Sequence, residues 1–477
     1  MDLDYKKLKF KAGLEIHQQL DSSKLFCNCP SLLRKDESNF EVKRKLHAVA
    51  GESGEIDVAA LYQSKLDKEF IYQGYDSTCL VELDEEPPHE INKEALKIAV
   101  QISLLLNCNI IPITQVMRKT VIDGSNTSGF QRTVLIGLNG YLESSQGRVG
   151  IENVYLEEDA ARVVLREEGR EIYKLDRLGI PLVEVVTAPD LKDTEHAKEV
   201  ALKIGEILRS CKVRRGIGTI RQDINISIME ENRVEIKGMQ DMSIFTQAIE
   251  NEVVRQRDQS EKVEMEVRNV LPDASTKFMR PLPGSARMYP ETDLPLLKIH
   301  RDFINEAKRD LPKLRGEVEE ELKNKGLNEE MIKLLFKRGV VDEFKELVNV
   351  LNNPQLIIKI LLMFPKEIIK KFGKSVEELD ELLNKDVLTF VLQNLGKKNI
   401  VESQVKQVLE RIVEGVDLKE SIKFDKANVG DLEEQIMKII KSKPGLNPNA
   451  YMGLVMKEFR GQIDGKEVMQ IIKKYAK

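Results

Sequence analysis

Phe10-Lys11-Ala12-Gly13-Leu14-Glu15-Ile16-His17-Gln18-Gln19-Leu20 alternates between apolar and polar residues, the period of a β-strand. Phe10, Ala12, Leu14 and Ile16 fall on one side of such a strand, Glu15 and His17 on the other. Two residues apart on one strand face is roughly 6–7 Å, a spacing that lets a carboxylate and an imidazole converge on one ion or reacting group. A solvated strand face with an incidental histidine has the same local pattern. The choice between the two depends on what the rest of the chain brings to that face.

Three further stretches set carboxylates among apolar strand residues: Leu156-Glu157-Glu158-Asp159, Pro181-Leu182-Val183-Glu184-Val185-Val186 and Arg221-Gln222-Asp223-Ile224-Asn225-Ile226. Acids flanked by Ile and Val are costly to bury unpaired. Either they form salt bridges, with Arg162, Arg177 and Arg221 as available partners, or they hold a divalent cation through oxygen ligands and one imidazole. A single histidine among carboxylates suits Mn2+ better than Mg2+ and excludes neither. A cation held by carboxylates points to phosphate chemistry, yet the chain has no P-loop and no kinase glycine loop. The glycine-bearing segments 123–129 and 215–218 are candidate cradles, presenting backbone N–H groups to phosphate, or else ordinary turns.

The 477 residues are enough for two to four domains. With 41% hydrophobic and 32% charged residues, the composition is that of a soluble globular protein. The longest apolar run, around residues 356–364, is short and interrupted by Lys359, so no membrane span is expected. The N-terminal segment lacks the apolar core of a secretory signal. A net charge of −5 restricts any nucleic-acid contact to a local patch. Five cysteines without a regular framework indicate a reduced, cytoplasmic protein. Cys27, Cys29 and Cys79 are free thiols or part of a zinc site, with His47 a guess at a fourth ligand.

Along the chain, strands are expected at 45–51, 70–75, 116–122, 129–135, 149–159, 161–165, 182–186 and 219–227. Helical spacing predicts a helix over 93–106, and Thr194 reads as the cap of a helix running to about Ser210. The polar interval 257–284, with Pro272, Pro281, Pro283 and Gly284, reads as a connection or an insertion point. From Asp302 the chain turns helical and rich in Lys and Glu, ending in a helix pair at 450–459 and 466–475. The fold class is therefore α+β: a mixed-sheet cradle over 1–300, a helical domain over 301–428 and a small α-helical tail over 429–477.

Five motifs, in order, carry a resemblance that covers nearly the whole chain: GLEIHQQL at 13–20, LEEDA at 156–160, LDRLGIPLVEVV at 175–186, RQDINI at 221–226 and RMYPETD at 287–293. Together the chain resembles the B/E family of tRNA-dependent amidotransferase subunits. VAGESGE at 49–55, TCLVELDEEPPH at 78–89 and FQRT at 130–133 look like its archaeal E branch rather than the bacterial B branch, whose members act with A and C partners. The resemblance implies ATP-dependent phosphorylation of the γ-carboxylate of glutamate on Glu-tRNA(Gln). Ammonia from an asparaginase-like D subunit would then displace phosphate, in a D2E2-type heterotetramer. Cofactors implied are ATP and Mg2+, with Mn2+ an alternative. By position, Glu15, His17, Glu158, Glu184 and Asp223 look like the catalytic, metal-binding set. Arg177, Arg221 and Lys237 are implied to bind the nucleotide, with Glu157 lining the same cradle. A non-catalytic tRNA-binding scaffold is the alternative of another class. Lys438, Lys441, Lys443, Lys457, Arg460, Lys466, Lys473 and Lys474 would let the tail meet tRNA phosphates. One departure stands out. The E branch usually carries a sizeable inserted domain before the RMYPETD motif, similar to one in bacterial-type aspartyl-tRNA synthetases, and here the chain passes almost directly from 257 to 263.

Overall fold

Ala12, Leu14 and Ile16 are buried along the strand Lys11–Gln19 (β1), the alternation its sequence predicts. The structure, a computed structural model, describes residues 3–51, 54–259, 264–284, 287–424, 429–458 and 465–475. It divides into two units, Met1–Arg315 and Gly316–Lys477.

In the first unit the strands after β1 are β2 (Phe40–Arg44), β3 (Glu69–Gly74), β4 (Asn109–Ile110), β5 (Ile113–Thr114), β6 (Val116–Thr120), β7 (Phe130–Ser144) and β8 (Gly147–Glu158). They continue with β9 (Arg162–Glu167), β10 (Arg170–Lys174), β11 (Pro181–Thr187), β12 (Ile220–Ser227), β13 (Val234–Lys237), β14 (Glu266–Val270), β15 (Thr276–Pro281), β16 (Met288–Pro290) and β17 (Leu297–Lys298). The helices are α1 (Val58–Ser64), α2 (Lys93–Leu105), α3 (Thr194–Ser210), α4 (Phe245–Asp258) and α5 (Arg301–Arg309).

An 11-stranded sheet runs β15-β14-β13-β12-β1-β11-β8-β7-β6-β16, with β4 paired to β7. Among the described residues only the β13–β14 pairing of this sheet is parallel, so the sheet is mixed. A second, four-stranded sheet has the order β2-β3-β10-β9. The apolar side of the large sheet packs against α2, α3 and α4 in one core that includes Leu14, Ile16, Val183, Val185, Ile224 and Ile226. Its other side is left for the polar members of the same strands. Helix α5 packs on α2, where Lys97 lies 2.7 Å from both Glu306 and Asp310, which carries the first unit to Arg315.

Three local expectations are corrected. The cap of α3 is Asp193, whose carboxylate accepts from the His196 N–H at 2.7 Å; Thr194 is the first helical residue. Residues 45–50 form no strand, because β2 ends at Arg44 where its pairing with β3 runs out at Phe70. The interval 257–284 is no mere connection: β14 and β15 lie in it and extend the large sheet at its edge, where Pro281 is tolerated. Helix α4 ends at Asp258 and β14 begins at Glu266, so a short stretch of chain separates the two.

Gly13 shows why the opening motif needs a glycine. A Cβ built there would lie 3.1 Å from the carbonyl oxygen of Thr187 and 3.3 Å from that of Ala188, both backbone atoms. Gly13→Val is expected to destabilise the first unit by about 1–3 kcal/mol through this overpacking. Urea unfolding followed by circular dichroism checks it, and an unchanged midpoint would contradict the close approach.

In the second unit, helices from Arg315–Asn324 to Leu418–Ser421 surround a core that includes Leu322, Phe344, Leu347, Val391 and Leu409. The helices Val429–Ser442, Pro448–Glu458 and Gly465–Tyr475 share a separate small core of Ile436, Tyr451, Val455, Val468 and Ile472. Lys438, Lys441, Lys443, Lys473 and Lys474 are exposed, and Lys474 pairs with Glu433 at 2.7 Å. Arg460 and the side chains of Lys457 and Lys466 lie outside the described residues.

Candidate active site on the polar face of the large sheet

The register around β1 assembles the site. His17 stands opposite Glu184 of β11 on one side and Arg221 of β12 on the other, while Glu15 stands opposite Asp223. Directly opposed residues in an antiparallel pair share a face. Two more pairings extend that face: Glu157 opposite Leu182, and Glu235 opposite Asn225. This ladder puts Glu15 and His17 on one face with acids from distant segments.

Two groups of donors result. In the first, His17 Nε2 lies 3.2 Å from Glu184 Oε2 and 3.6 Å from Glu157 Oε1, and Lys119 Nζ lies 3.2 Å from Glu184 and 3.3 Å from Glu157. In the second, Lys237 bonds to Asp223 at 2.7 Å and pairs with Glu235, while Asn225 Nδ2 donates to Glu15 Oε1 at 3.2 Å. Within His17, Glu157 and Glu184, and again within Glu15, Asp223 and Glu235, one ligand atom from each residue lies within 4.8 Å of the others.

The electrostatics follow from burial and imbalance. Burial pushes Glu15 above the usual carboxylate range, and repulsion from Glu184 and Glu235 adds to the rise. Burial also raises Glu157, with Lys119 only partly opposing it. For Glu184 burial is outweighed by Lys119 and by the His17 hydrogen bond, which hold it well below the ordinary range. Burial alone would lower His17, but the hydrogen bond to Glu184 and the charges of Glu184, Glu157 and Asp223 raise it. Lys119 and Lys237 are likewise raised, since their acidic neighbours outweigh burial.

Acids thus outnumber the lysines set among them. Like charges crowded in a poorly hydrated site are unfavourable unless a cation joins them. Oxygen donors with one imidazole fit Mg2+ or Mn2+ by hardness, so the residues present suit the cation that the sequence implies.

Of the residues singled out in the sequence, Glu15, His17, Glu184 and Asp223 share this face, and Lys237 sits among them. Glu158 does not. Successive strand residues point to opposite faces, so Glu157 takes the place beside His17. Glu158 turns the other way, accepting from the Arg132 backbone N–H at 3.2 Å and lying 3.5 Å from its guanidinium. Arg221 stands on this face opposite His17 but reaches to Asp159, and Arg177 is committed elsewhere. Arg221 donates to Asp159 at 2.6 Å, and Arg177 donates to the carbonyls of Ala160 at 2.8 Å and Ala161 at 2.9 Å. Gln19 completes the grip on Asp159 at 2.6 Å.

Sequence reasoning missed Lys119 and Glu235. The signal for Glu235 was present, because Val234-Glu235-Ile236-Lys237 alternates and puts Glu235 on the face of Lys237. Nothing local marks Lys119 among Met117-Arg118-Lys119-Thr120. The RMYPETD motif has a structural part as well: buried Glu291 binds Arg118 at 2.6 Å and Arg132 at 2.8 Å, and both guanidiniums lie over the Phe130 ring.

Comparison with known proteins gives a consistent picture. Residues 10–305 match the family model described as the GatB/GatE catalytic domain. The chain is 35% identical over 632 residues to the E subunit of glutamyl-tRNA(Gln) amidotransferase from Methanocaldococcus jannaschii, with 100% of each chain covered. It is also 35% identical over 617 residues to the corresponding protein of Archaeoglobus fulgidus, which bears the same name, covering 100% of this chain and 99% of that one. Methanosarcina barkeri has a further protein of that name, 34% identical over 627 residues, covering 99% and 98%.

Proposed function

Because the chain belongs to the GatB/GatE family, we propose that it is an E-type amidotransferase subunit converting Glu-tRNA(Gln) to Gln-tRNA(Gln). The γ-carboxylate of the tRNA-bound glutamate attacks the γ-phosphorus of ATP, and the bond to the ADP oxygen breaks. Ammonia then attacks the acyl phosphate carbon, phosphate leaves, and the surplus proton of the nitrogen passes to solvent or phosphate. One observation carries the reading: acidic residues from separate family motifs meet His17 on one sheet face.

A carboxylate nucleophile needs no general base, so the work is positioning and charge stabilisation. His17, Glu157 and Glu184 would hold one divalent cation, and Glu15, Asp223 and Glu235 a second. Bound there, such cations would offset the charge of the ATP phosphates and the transferring phosphoryl group. Lys119 and Lys237 add fixed positive charge among these acids, and Lys119 helps to hold Glu184 ionised. Arg177 and Arg221 fix the 159–161 turn that borders the face, a positioning role in place of the direct nucleotide contact that the resemblance implied.

Ammonia would come from an asparaginase-like D subunit in a D2E2-type assembly. The relatives named above are E subunits, which favours this over a bacterial-type B subunit acting with A and C partners. Retention of the acids favours an enzyme over a tRNA-binding scaffold. The second unit would contain the helical and tail domains, the tail contacting tRNA through its exposed lysines. The alignment with the Methanocaldococcus protein extends over 632 residues against 477 here, consistent with loss of the inserted domain. Among the described residues no helix is long and apolar enough to cross a membrane, and a role in translation implies a cytoplasmic location.

Incubating the full chain with Glu-tRNA(Gln), ATP and Mg2+ should release ADP only when the charged tRNA is present. Adding ammonium should then yield Gln-tRNA(Gln). ADP release that ignores the tRNA, or none at all, would overturn the assignment.

A further inference from the structure

Acids crowd the middle of the polar face, and arginines without acidic partners stand at its two edges. The large sheet follows a path of ten strands from β15 at one edge to β16 at the other. With neighbours about 4.8 Å apart, a flat sheet would hold those edges about 43 Å apart. Yet only residues 282–287 join β15 to β16, and the chain from Pro281 to Met288 spans at most about 25 Å. The sheet therefore curls until its edges approach each other.

Each edge brings an arginine towards the acids. Glu235 stands opposite Val267 of β14, and Val267 opposite Arg280 of β15, so Arg280 shares the face of Glu235. At the other edge Met288 stands opposite Lys119, and the preceding Arg287 donates through Nε to the Thr120 carbonyl at 3.2 Å. The charge of Arg287 acts on both Lys119 and Arg280, which sets the three around one space. Burial lowers the Arg280 guanidinium from its ordinary value and Arg287 lowers it further, with Glu235, Asp123 and Asp57 offsetting only part. Those acids are engaged elsewhere. Glu235 pairs with Lys237, and Asp57 accepts from the Ala60 and Gly284 N–H groups at 3.0 and 2.9 Å. Asp123 accepts from the Ser125 N–H at 3.0 Å and its hydroxyl at 2.6 Å. Among the described residues no carboxylate forms an ion pair with Arg280 or Arg287.

We propose that Arg280 and Arg287 form a clamp that grips the polyphosphate of the nucleotide from opposite edges of the curled sheet. The inference rests on the phosphoryl transfer proposed above. It supplies the direct phosphate contacts that Arg177 and Arg221, held by Asp159 and by backbone carbonyls, do not make. Two like charges brought together at half-buried positions are unfavourable without a counter-ion. The donor groups in the middle of the face call for cations and the arginines at its edges for an anion, and a metal-bound nucleoside triphosphate provides both. A guanidinium fork suits phosphate because two N–H groups reach two oxygens at once. Held from both sides, the terminal phosphates would be aligned for attack and their charge offset.

Calorimetry on the full chain with Mg2+ and the non-hydrolysable ATP analogue AMPPNP reads the clamp directly. Arg280→Ala and Arg287→Ala are each expected to weaken AMPPNP binding about 10–100-fold, the worth of a hydrogen bond between charged groups. Arg280→Lys should recover part of the loss through charge alone. Without nucleotide the alanine variants should melt at or above the wild-type temperature, because the empty clamp repels itself. A lowered melting temperature together with weaker binding would mark a structural arginine and overturn the proposal. AMPPNP affinity within about threefold of wild type in both alanine variants would overturn it too. So would weakened binding of Glu-tRNA(Gln) with AMPPNP binding intact, which would assign the arginines to tRNA phosphates. In either of these last cases, wild-type ADP release that still depends on the charged tRNA would leave the proposed function standing. AMPPNP binding that the variants lose, in a chain without tRNA-dependent ADP release, would keep the clamp and remove the reaction.

Discussion

Glu184→Gln is expected to lower tRNA-dependent ADP release by about 10²–10³-fold, the cost of removing one preorganised group from a charge-stabilising site. Glu184 is the side chain on which the first donor group turns, since both His17 and Lys119 reach it at 3.2 Å. Glutamine keeps the volume and one acceptor oxygen but loses the charge, leaving Lys119 without half of its compensation. Asp223→Asn should act similarly in the second group. Glu158→Gln is the discriminating control: facing away, beside Arg132, it should cost far less in rate at saturating ATP. Steady-state ADP release, alongside melting curves to establish that each variant is folded, checks the series. A Glu184→Gln enzyme within about threefold of wild type would remove this carboxylate from the phosphorylation site, a change of well under 1 kcal/mol in barrier.

Glu291→Ala should be the most destabilising of the single changes discussed, at about 3–5 kcal/mol. The Glu291 side chain is fully buried, Arg132 is 6% exposed and Arg118 is 20% exposed. Truncation leaves the two guanidiniums over the Phe130 ring with weaker partners, Asp293 at 3.3 Å from Arg118 and Glu158 at 3.5 Å from Arg132, and also removes the acceptor of the Asp293 N–H at 2.9 Å. Glu291→Gln, which preserves packing and can still accept a hydrogen bond, should lose less. Urea unfolding monitored in the first unit gives the comparison, and a loss under about 1 kcal/mol for the alanine variant would contradict a charge clamp.

Much of the fold is legible from β1 outward. Its period sorts Leu14 and Ile16 from Glu15 and His17, and the same rule sorts Val183 and Val185 from Glu184 and Ile224 and Ile226 from Asp223. Applied to β8, the rule puts Val154, Leu156 and Glu158 on one face and Tyr155 and Glu157 on the other. Glu158, a ligand by its position within a motif, falls by that parity on the face opposite Glu157. The rest depends on pairings that no local pattern encodes. Lys119 reaches the site because β6 lies beyond β7 and β8 in the sheet, and Glu82 rather than His47 reaches Cys27, Cys29 and Cys79 because two loops fold together. Strands β14 and β15 were hidden by edge-strand chemistry, since polar residues and Pro281 are what an exposed edge allows and what a linker looks like.

The central claim is that the glutamate side chain of Glu-tRNA(Gln) is itself phosphorylated before amidation, and oxygen isotopes read that step. tRNA(Gln) charged with glutamate carrying oxygen-18 in its γ-carboxylate is incubated with the full chain, ATP, Mg2+ and ammonium, and the released phosphate is analysed by mass spectrometry. Transfer through a γ-glutamyl phosphate predicts one labelled oxygen in each phosphate that accompanies Gln-tRNA(Gln). Unlabelled phosphate formed in step with Gln-tRNA(Gln) would mean that ATP is split by water, and would contradict the account.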